Sequence, residues 1–249
     1  MTKELRTSHI LETISKTNKA SITTLSEDLS VSTDTIRRDI DALDKLGLVV
    51  KVRGGAISPT EDILSFKERL PLYSKAKDII AVKAQRLLKN GQTIFLDGGT
   101  TAVAIAKKIS KDIHLTIITN NPEITSCFTQ FSNVKLIVLG GLYNLTTQTI
   151  VGIQTCKEIK KYNADLYLMG VCAVNTKTGV SADIMEDGEV KQAFMANTKK
   201  TIILCTSEKL GKQTFFNVCP LTEIDGALTE LNTDDKLLDP LRSLDLEIF

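Results

Sequence analysis

The sequence predicts an α/β protein in two parts: a small N-terminal winged helix-turn-helix and a larger α/β domain on a mostly parallel sheet. Three observations predict it. Residues 21–56 read as two short helices around a tight turn, then a β-rich run closed by Gly54-Gly55. From Lys75 onward short apolar strands alternate with helical spacers, the pattern of parallel strands covered on both faces. Those strands end in clusters of glycine, hydroxyl and amide residues, where ligands bind in open α/β sheets.

Leu5 to Ser15 reads as an opening helix with Leu5, Ile10, Leu11 and Ile14 inward. Arg6 on it is equally compatible with a phosphate contact and a solvated position. The next helix carries Leu25 and Leu29 inward. Its start is open between a Ser21 cap and a Thr24–Glu27 capping box. The following helix starts at Ser32, a favoured N-cap, with Asp34 in the first turn complementing the helix dipole. Ile36, Ile40 and Leu43 share one face, and Arg38 lies nearly opposite, flanked by Thr35 and Arg37. An arginine fork can bind phosphate, or the O6/N7 edge of guanine, through two parallel hydrogen bonds. Leu48 to Arg53 then reads as a basic wing.

Residues 58–74 lose periodicity, carry Pro59 and Pro71, and suit a connector between domains at 1–57 and 75–249. The expected order thereafter is a helix at 76–89 ended by Asn90-Gly91, a strand at 93–96 and a helix at 101–109. A strand at 115–119 and a helix reaching about Phe131 come next. Strands follow at 135–139, 165–169, 201–204 and 224–228, with a last one at 244–249; a helix starting near Asp183 runs to about Asn197.

A net charge of +1 gives no global attraction to nucleic acid, so DNA affinity must come from a local face and from doubling the site in a homo-oligomer. The five cysteines, Cys127, Cys156, Cys172, Cys205 and Cys219, are scattered without a C-x-x-C pair, which suits buried thiols in a reducing compartment. With only His9 and His114, a metal site is not expected. Without a leader pattern or a long apolar run, a cytoplasmic protein without membrane contact is expected.

The sharpest strand-end turn is Gly98-Gly99-Thr100-Thr101. Glycines admit a ligand close to the backbone, and the following helix offers free N–H groups and a positive dipole end, a setting for phosphate. Asp97 before it could accept sugar hydroxyls. Thr119, Asn120 and Asn121 end the next strand. Asp183, Glu186, Asp187 and Lys191 gather around one helix start, and Lys209 follows a later strand.

The wording VSTDTIRRDIDAL followed by KVRGGA resembles the DeoR family of bacterial transcription regulators. IFLDGGTT, TNN, LGG, GEVKQAFM and KLG stand in the order of that family's sugar-phosphate sensor domain, which resembles the fold of ribose-phosphate isomerases and coenzyme A transferases. Phe66 and Arg69 match a family pattern too. The resemblance implies a repressor of sugar-metabolism genes, modulated by a phosphorylated sugar and needing no cofactor. Operator contacts are expected from Ser32, Thr33, Thr35, Arg37, Arg38, Lys51 and Arg53. An effector site is expected from Asp97, Gly98, Gly99, Thr100, Thr101, Asn120, Asn121, Gly141, Asp183, Lys191 and Lys209. Two stretches depart from the family pattern: Thr206 stands where an acid is usual, and Asp187-Gly188 replace Glu-Ala. The alternative is an isomerase-like enzyme carrying a winged helix. No spaced catalytic set supports it, so no catalytic residue is expected.

Overall fold

The computed structural model describes residues 2–17, 19–57 and 64–249, with the backbone alone at positions 4, 15–17 and 19. The chain divides into two compact units, 1–63 and 64–249. Pro59 lies outside the described residues.

The first unit runs α1 (Lys3–Thr17), β1 (Lys19–Ser21), α2 (Ile22–Asp28), α3 (Thr33–Lys45), β2 (Val50–Val52) and β3 (Gly55–Ile57). Its core is Ile10, Ile14, Leu25, Ile36, Ile40, Leu43 and Val49. Leu5, expected inward, is 61% exposed: five residues before Ile10 and nine before Ile14, it falls on the opposite side of α1. Ser21 precedes α2 without a side-chain cap, whereas the Ser32 hydroxyl accepts the Thr35 N–H at 3.2 Å. The wing is a three-stranded antiparallel sheet of order β1-β3-β2. Gly55 is forced by proximity, since a Cβ there would meet the Ala20 carbonyl oxygen at 2.1 Å. Pairing begins at Val50; Leu48, expected in the strand, is exposed before it.

The second unit opens with α4 (Phe66–Arg69), started by a reciprocal Ser65–Glu68 capping box, so the expected connector contains a helical turn whose Phe66 is buried. Then come α5 (Ser74–Ala84), β4 (Gln92–Leu96), α6 (Thr100–Ala106), β5 (Leu115–Thr119) and β6 (Val134–Val138). A hairpin follows, β7 (Leu142–Asn144) and β8 (Thr149–Val151), then α7 (Ile153–Ile159), β9 (Leu166–Gly170), β10 (Ala173–Asn175) and β11 (Gly179–Ala182). The order closes with α8 (Met185–Met195), β12 (Thr201–Leu204), β13 (Phe216–Cys219), β14 (Gly226–Leu228), α9 (Asp239–Arg242) and β15 (Glu247–Ile248).

Seven strands form one parallel sheet, order β15-β14-β12-β9-β4-β5-β6. Period-two alternation assigns each strand to both faces: in β4, Phe95 joins one apolar cluster while Ile94 and Leu96 join the other. On the first face Phe95, Tyr167 and Phe194 pack as an aromatic trio, Phe95 and Phe194 with ring centroids 4.7 Å apart.

Three expectations are corrected. The segment after Asn121 is a 3-10 helix over Pro122–Phe128 and not an α-helix reaching Phe131. Thr125 and Ser126 hydroxyls donate to the carbonyls three residues back, Pro122 and Glu123, favouring the tighter turn. Helix α6 ends at Ala106, short of Ile109, and leaves through i→i−3 bonds from Lys108 and Ile109. Strands β7, β8, β10, β11 and β13 were not expected. They are three or four residues long and lie in a separate hairpin and a three-stranded antiparallel sheet.

Candidate effector site and nucleic-acid interface

The parallel sheet brings the carboxyl ends of β4, β9 and β12 to one edge. Asp97 follows β4 and is fully buried. Its Oδ1 accepts the Gly98 N–H at 2.6 Å; its Oδ2 accepts the Gly170 N–H at 3.0 Å and the Lys191 ammonium at 2.5 Å. Lys191, on α8, is 2% exposed and also lies 3.2 Å from Asp187 Oδ2, one helical turn earlier. Burial pushes the Asp97 carboxyl upward against the pull of Lys191, and Asp187 adds to the rise. Burial opposes the Lys191 charge, yet Asp187 and Asp97 outweigh it and hold its pKa above the ordinary lysine range. Two carboxylates thus share one ammonium, so this centre suits neutral hydroxyls better than a bare phosphate.

Several polar atoms around it are buried without a hydrogen-bond partner among the described residues: Asp187 Oδ1, Asn120 Oδ1 and the Tyr167 hydroxyl. Burial holds the Tyr167 hydroxyl well above its ordinary range, with Asp97 and Asp187 adding to the effect. Cys172 is pushed up to about 12 by burial and by the nearby Asp183 and Asp187. Asp183 therefore lies within the field of the same centre.

The Gly98–Thr101 turn touches this centre through Gly98, whose N–H is already committed to Asp97. A Cβ at Gly98 would strike Thr149 Cγ2 at 2.1 Å, so glycine is required for packing. Gly99 precedes α6, and Thr100 and Thr101 are buried in its first turn. Asn120 donates to the Ile150 carbonyl at 3.0 Å and keeps its own oxygen free, whereas the Asn121 oxygen accepts the Glu123 N–H as a cap. Gly141 is a packing glycine: a Cβ there would meet Thr155 Oγ1 at 2.0 Å.

Lys209 stands after β12 in a different group. Lys77, on α5, is 7% exposed and donates to the Arg69 carbonyl at 2.5 Å. Burial, with the charges of Lys209 and Arg69, lowers its pKa to about 8, while Glu208 acts oppositely. Arg69 Nε is buried with no hydrogen-bond partner among the described residues. Three cations from α4, α5 and the turn after β12 therefore converge. Sequence reading singled out Lys209 but not Arg69 and Lys77 as candidates beside it. The Phe66–Arg69 pattern was the available signal, whereas Lys77 sits in a helix carrying other lysines and looks solvated there.

In the first unit, Thr33 and Arg38 are exposed on α3 and Arg53 on the wing. Ser32 and Thr35 hydroxyls lie 2.9 Å apart. Arg37 pairs with Asp34 at 2.7 Å, and Lys51 pairs with Asp41 while its N–H is accepted by Asp44. Arg6 forms a two-pronged pair with Asp39, its Nε 2.7 Å from Oδ2, which draws it away from the solvated or phosphate-facing alternatives. No helix among the described residues is long and apolar enough to cross a membrane, and they hold no cluster of metal-ligating side chains.

The two units correspond to two family descriptions. Residues 6–62 match the DeoR-like helix-turn-helix domain and residues 73–230 the DeoR C terminal sensor domain. The chain belongs to the DeoR family of transcription regulators. It is 30% identical over 232 residues to the HTH-type transcriptional repressor GlcR of Bacillus subtilis, covering 92% of this chain and 89% of that protein. It is 25% identical over 231 residues to the glycerol-3-phosphate regulon repressor of Escherichia coli, covering 92% of each. In fold it is similar to the translation initiation factor eIF-2B of Pyrococcus horikoshii, with a TM-score of 0.50, 13% identity and 92% and 88% of the two chains covered. A ribose 5-phosphate isomerase from Methanocaldococcus jannaschii aligns with TM-score 0.38 and 19% identity over 54% of this chain and 53% of that one.

Proposed function

We propose that this protein is a repressor of sugar-metabolism genes whose operator binding is modulated by a phosphorylated sugar. In this reading residues 1–57 bind double-stranded operator DNA, residues 75–249 bind the effector, and 58–74 join them while lending Arg69 to the effector site. One observation carries the effector assignment: a buried Lys191 held between Asp97 and Asp187, with unpartnered acceptors beside it, at the carboxyl edge of a parallel sheet. Acceptors without donors call for a ligand rich in hydroxyls. The phosphate end belongs with Arg69, Lys77 and Lys209, at the same edge as the Gly98–Thr101 turn. Asp97, Asn120, Asp187 and Lys191 take the hydroxyl end.

On the DNA side, Thr33, Thr35, Arg38 and Arg53 supply the direct contacts, with Ser32 ordering the helix start. Arg37 and Lys51 engage phosphate by exchanging their acidic partners for it. One such unit binds weakly, so the active species is a homo-oligomer on repeated half-sites. The relatives named as regulators favour this reading over an isomerase, and it needs no cofactor and acts in the cytoplasm.

The test is a mobility shift with DNA upstream of the protein's own gene, titrated with a panel of hexose 6-phosphates, pentose 5-phosphates and glycerol 3-phosphate. At least one should change operator affinity on the order of 5–150-fold, the span of a 1–3 kcal/mol coupling. A protein that binds the operator but ignores the panel contradicts the effector half of the proposal.

A further inference from the structure

In the turn after β12, Thr206 and Glu208 hold each other in place. Thr206 is fully buried, and its hydroxyl donates to Glu208 Oε1 at 2.5 Å. That bond fixes one carboxylate oxygen. The other, Glu208 Oε2, is buried with no hydrogen-bond partner among the described residues. The turn is rigid on its other side as well: Ser207 donates its N–H at 3.0 Å and its hydroxyl at 2.6 Å to Glu230 Oε1. Glu208 also lies within the electrostatic reach of Lys77, which feels Lys209 and Arg69 too.

A buried carboxylate oxygen without a donor is costly unless something supplies one. We propose that Glu208, held by Thr206, is a ligand-binding acceptor that selects one hydroxyl of the phosphorylated sugar, adjoining its anionic end. The proposal rests on the effector reading above and adds a specificity-determining residue to it. The placement of Glu208 is geometric. Leu204 of β12 pairs with Gly170 of β9, whose N–H is accepted by Asp97, so this turn and the Asp97 centre share one sheet edge. The arrangement gives the site acceptors at two places: Asp187 and Asn120 at one, Glu208 beside the cations at the other.

A competing role for Glu208 is charge balance among Arg69, Lys77 and Lys209. The two roles predict opposite signs. Removing a balancing charge would tighten every anion. Removing a hydroxyl acceptor weakens a sugar phosphate while leaving inorganic phosphate unchanged or tighter. The experiment is calorimetric titration of the full chain, wild type and Glu208→Gln, with inorganic phosphate and with the tightest binder of the sugar-phosphate panel. The expected result is a sugar-phosphate affinity lower by roughly 10- to 100-fold, the range for losing a hydrogen bond to a charged group, with phosphate affinity not reduced. Thr206→Val should reproduce part of the loss and Thr206→Ser should restore it. A deoxy analogue lacking the contacted hydroxyl should bind wild type and Glu208→Gln alike.

Glu208→Gln binding the sugar phosphate as tightly as wild type, or more tightly along with phosphate, overturns the assignment. Absence of wild-type binding to any member of the panel overturns the effector reading itself, and this inference with it. Thermal melts of each variant establish that a lost affinity is not a lost fold.

Discussion

Lys191 Nζ and Asp97 Oδ2 lie 2.5 Å apart with both side chains almost wholly out of solvent, and Asp187 Oδ2 lies 3.2 Å from the same ammonium. Breaking a buried pair leaves an uncompensated charge, so Lys191→Ala should destabilise the sensor unit by about 3–5 kcal/mol. The lost cation also removes the pull that opposes burial at Asp97, so that carboxyl, already raised, moves further above its unfolded value. The folded variant takes up protons more readily than the unfolded chain, so part of its stability returns as pH falls. Denaturant melts of wild type and variant between about pH 5 and 8 check this; a pH-independent difference contradicts it.

Lys77 titrates at about 8, below its ordinary 10.5. The neutral form is favoured by folding, so over the window from about 8 to 10.5 the unfolded chain binds more protons and this residue's contribution to stability rises with pH. An anion needs the charged form. Sugar-phosphate affinity should therefore fall as pH rises through about 8, where the phosphate is already a dianion. Binding near pH 8 should take up protons, seen as a buffer-dependent heat. Lys77→Arg should flatten the profile, because arginine stays charged.

Arg38 projects from α3 on the side opposite Ile36, Ile40 and Leu43. Arg38→Ala should cost roughly 1–3 kcal/mol of specific operator binding if the fork meets a guanine edge. Quantitative footprinting against operator and scrambled duplexes measures it, and equal losses on both would make Arg38 a phosphate contact.

The wing lysine tests differently. Lys51→Ala should weaken specific and non-specific DNA together and lower the log–log salt slope by about one. Because Asp41 holds Lys51 in the free protein, Asp41→Asn should strengthen non-specific binding by a few-fold, the range of a surface pair. Salt titrations on random-sequence duplex distinguish the two.

A Cβ at Gly188, on α8, would meet Phe216 Cδ1 at 2.2 Å. Gly188→Ala should therefore destabilise by about 1–3 kcal/mol, the usual cost of overpacking. Combining it with Phe216→Leu should recover part of the loss in thermal melts.

Much of this was legible in the sequence because it depends on local pattern. The Ser32 cap and the Ile36, Ile40, Leu43 stripe are set by residues within one helix, and the strands of the parallel sheet are apolar runs bounded by turns. What stayed hidden depends on contacts across long separations. Arg6 meets Asp39 33 residues away, and Lys191 reaches Asp97 across 94. The short strands β10, β11 and β13 owe their pairing to each other rather than to any strong period of their own. Glu208 looks like a solvated turn residue in the sequence, and only the folded turn sets its carboxylate against the Thr206 hydroxyl.

The pairing of basic residues with acids on the first unit has a consequence for how the protein divides its time on a chromosome. Arg6, Arg37 and Lys51 each have a carboxylate within the unit. A surface so neutralised earns little from an arbitrary stretch of duplex, since non-specific affinity comes from released counterions. An operator competes with about a million to a billion other sites. Weak retention at each of those leaves more protein free to find the operator, so a small number of copies can keep it occupied.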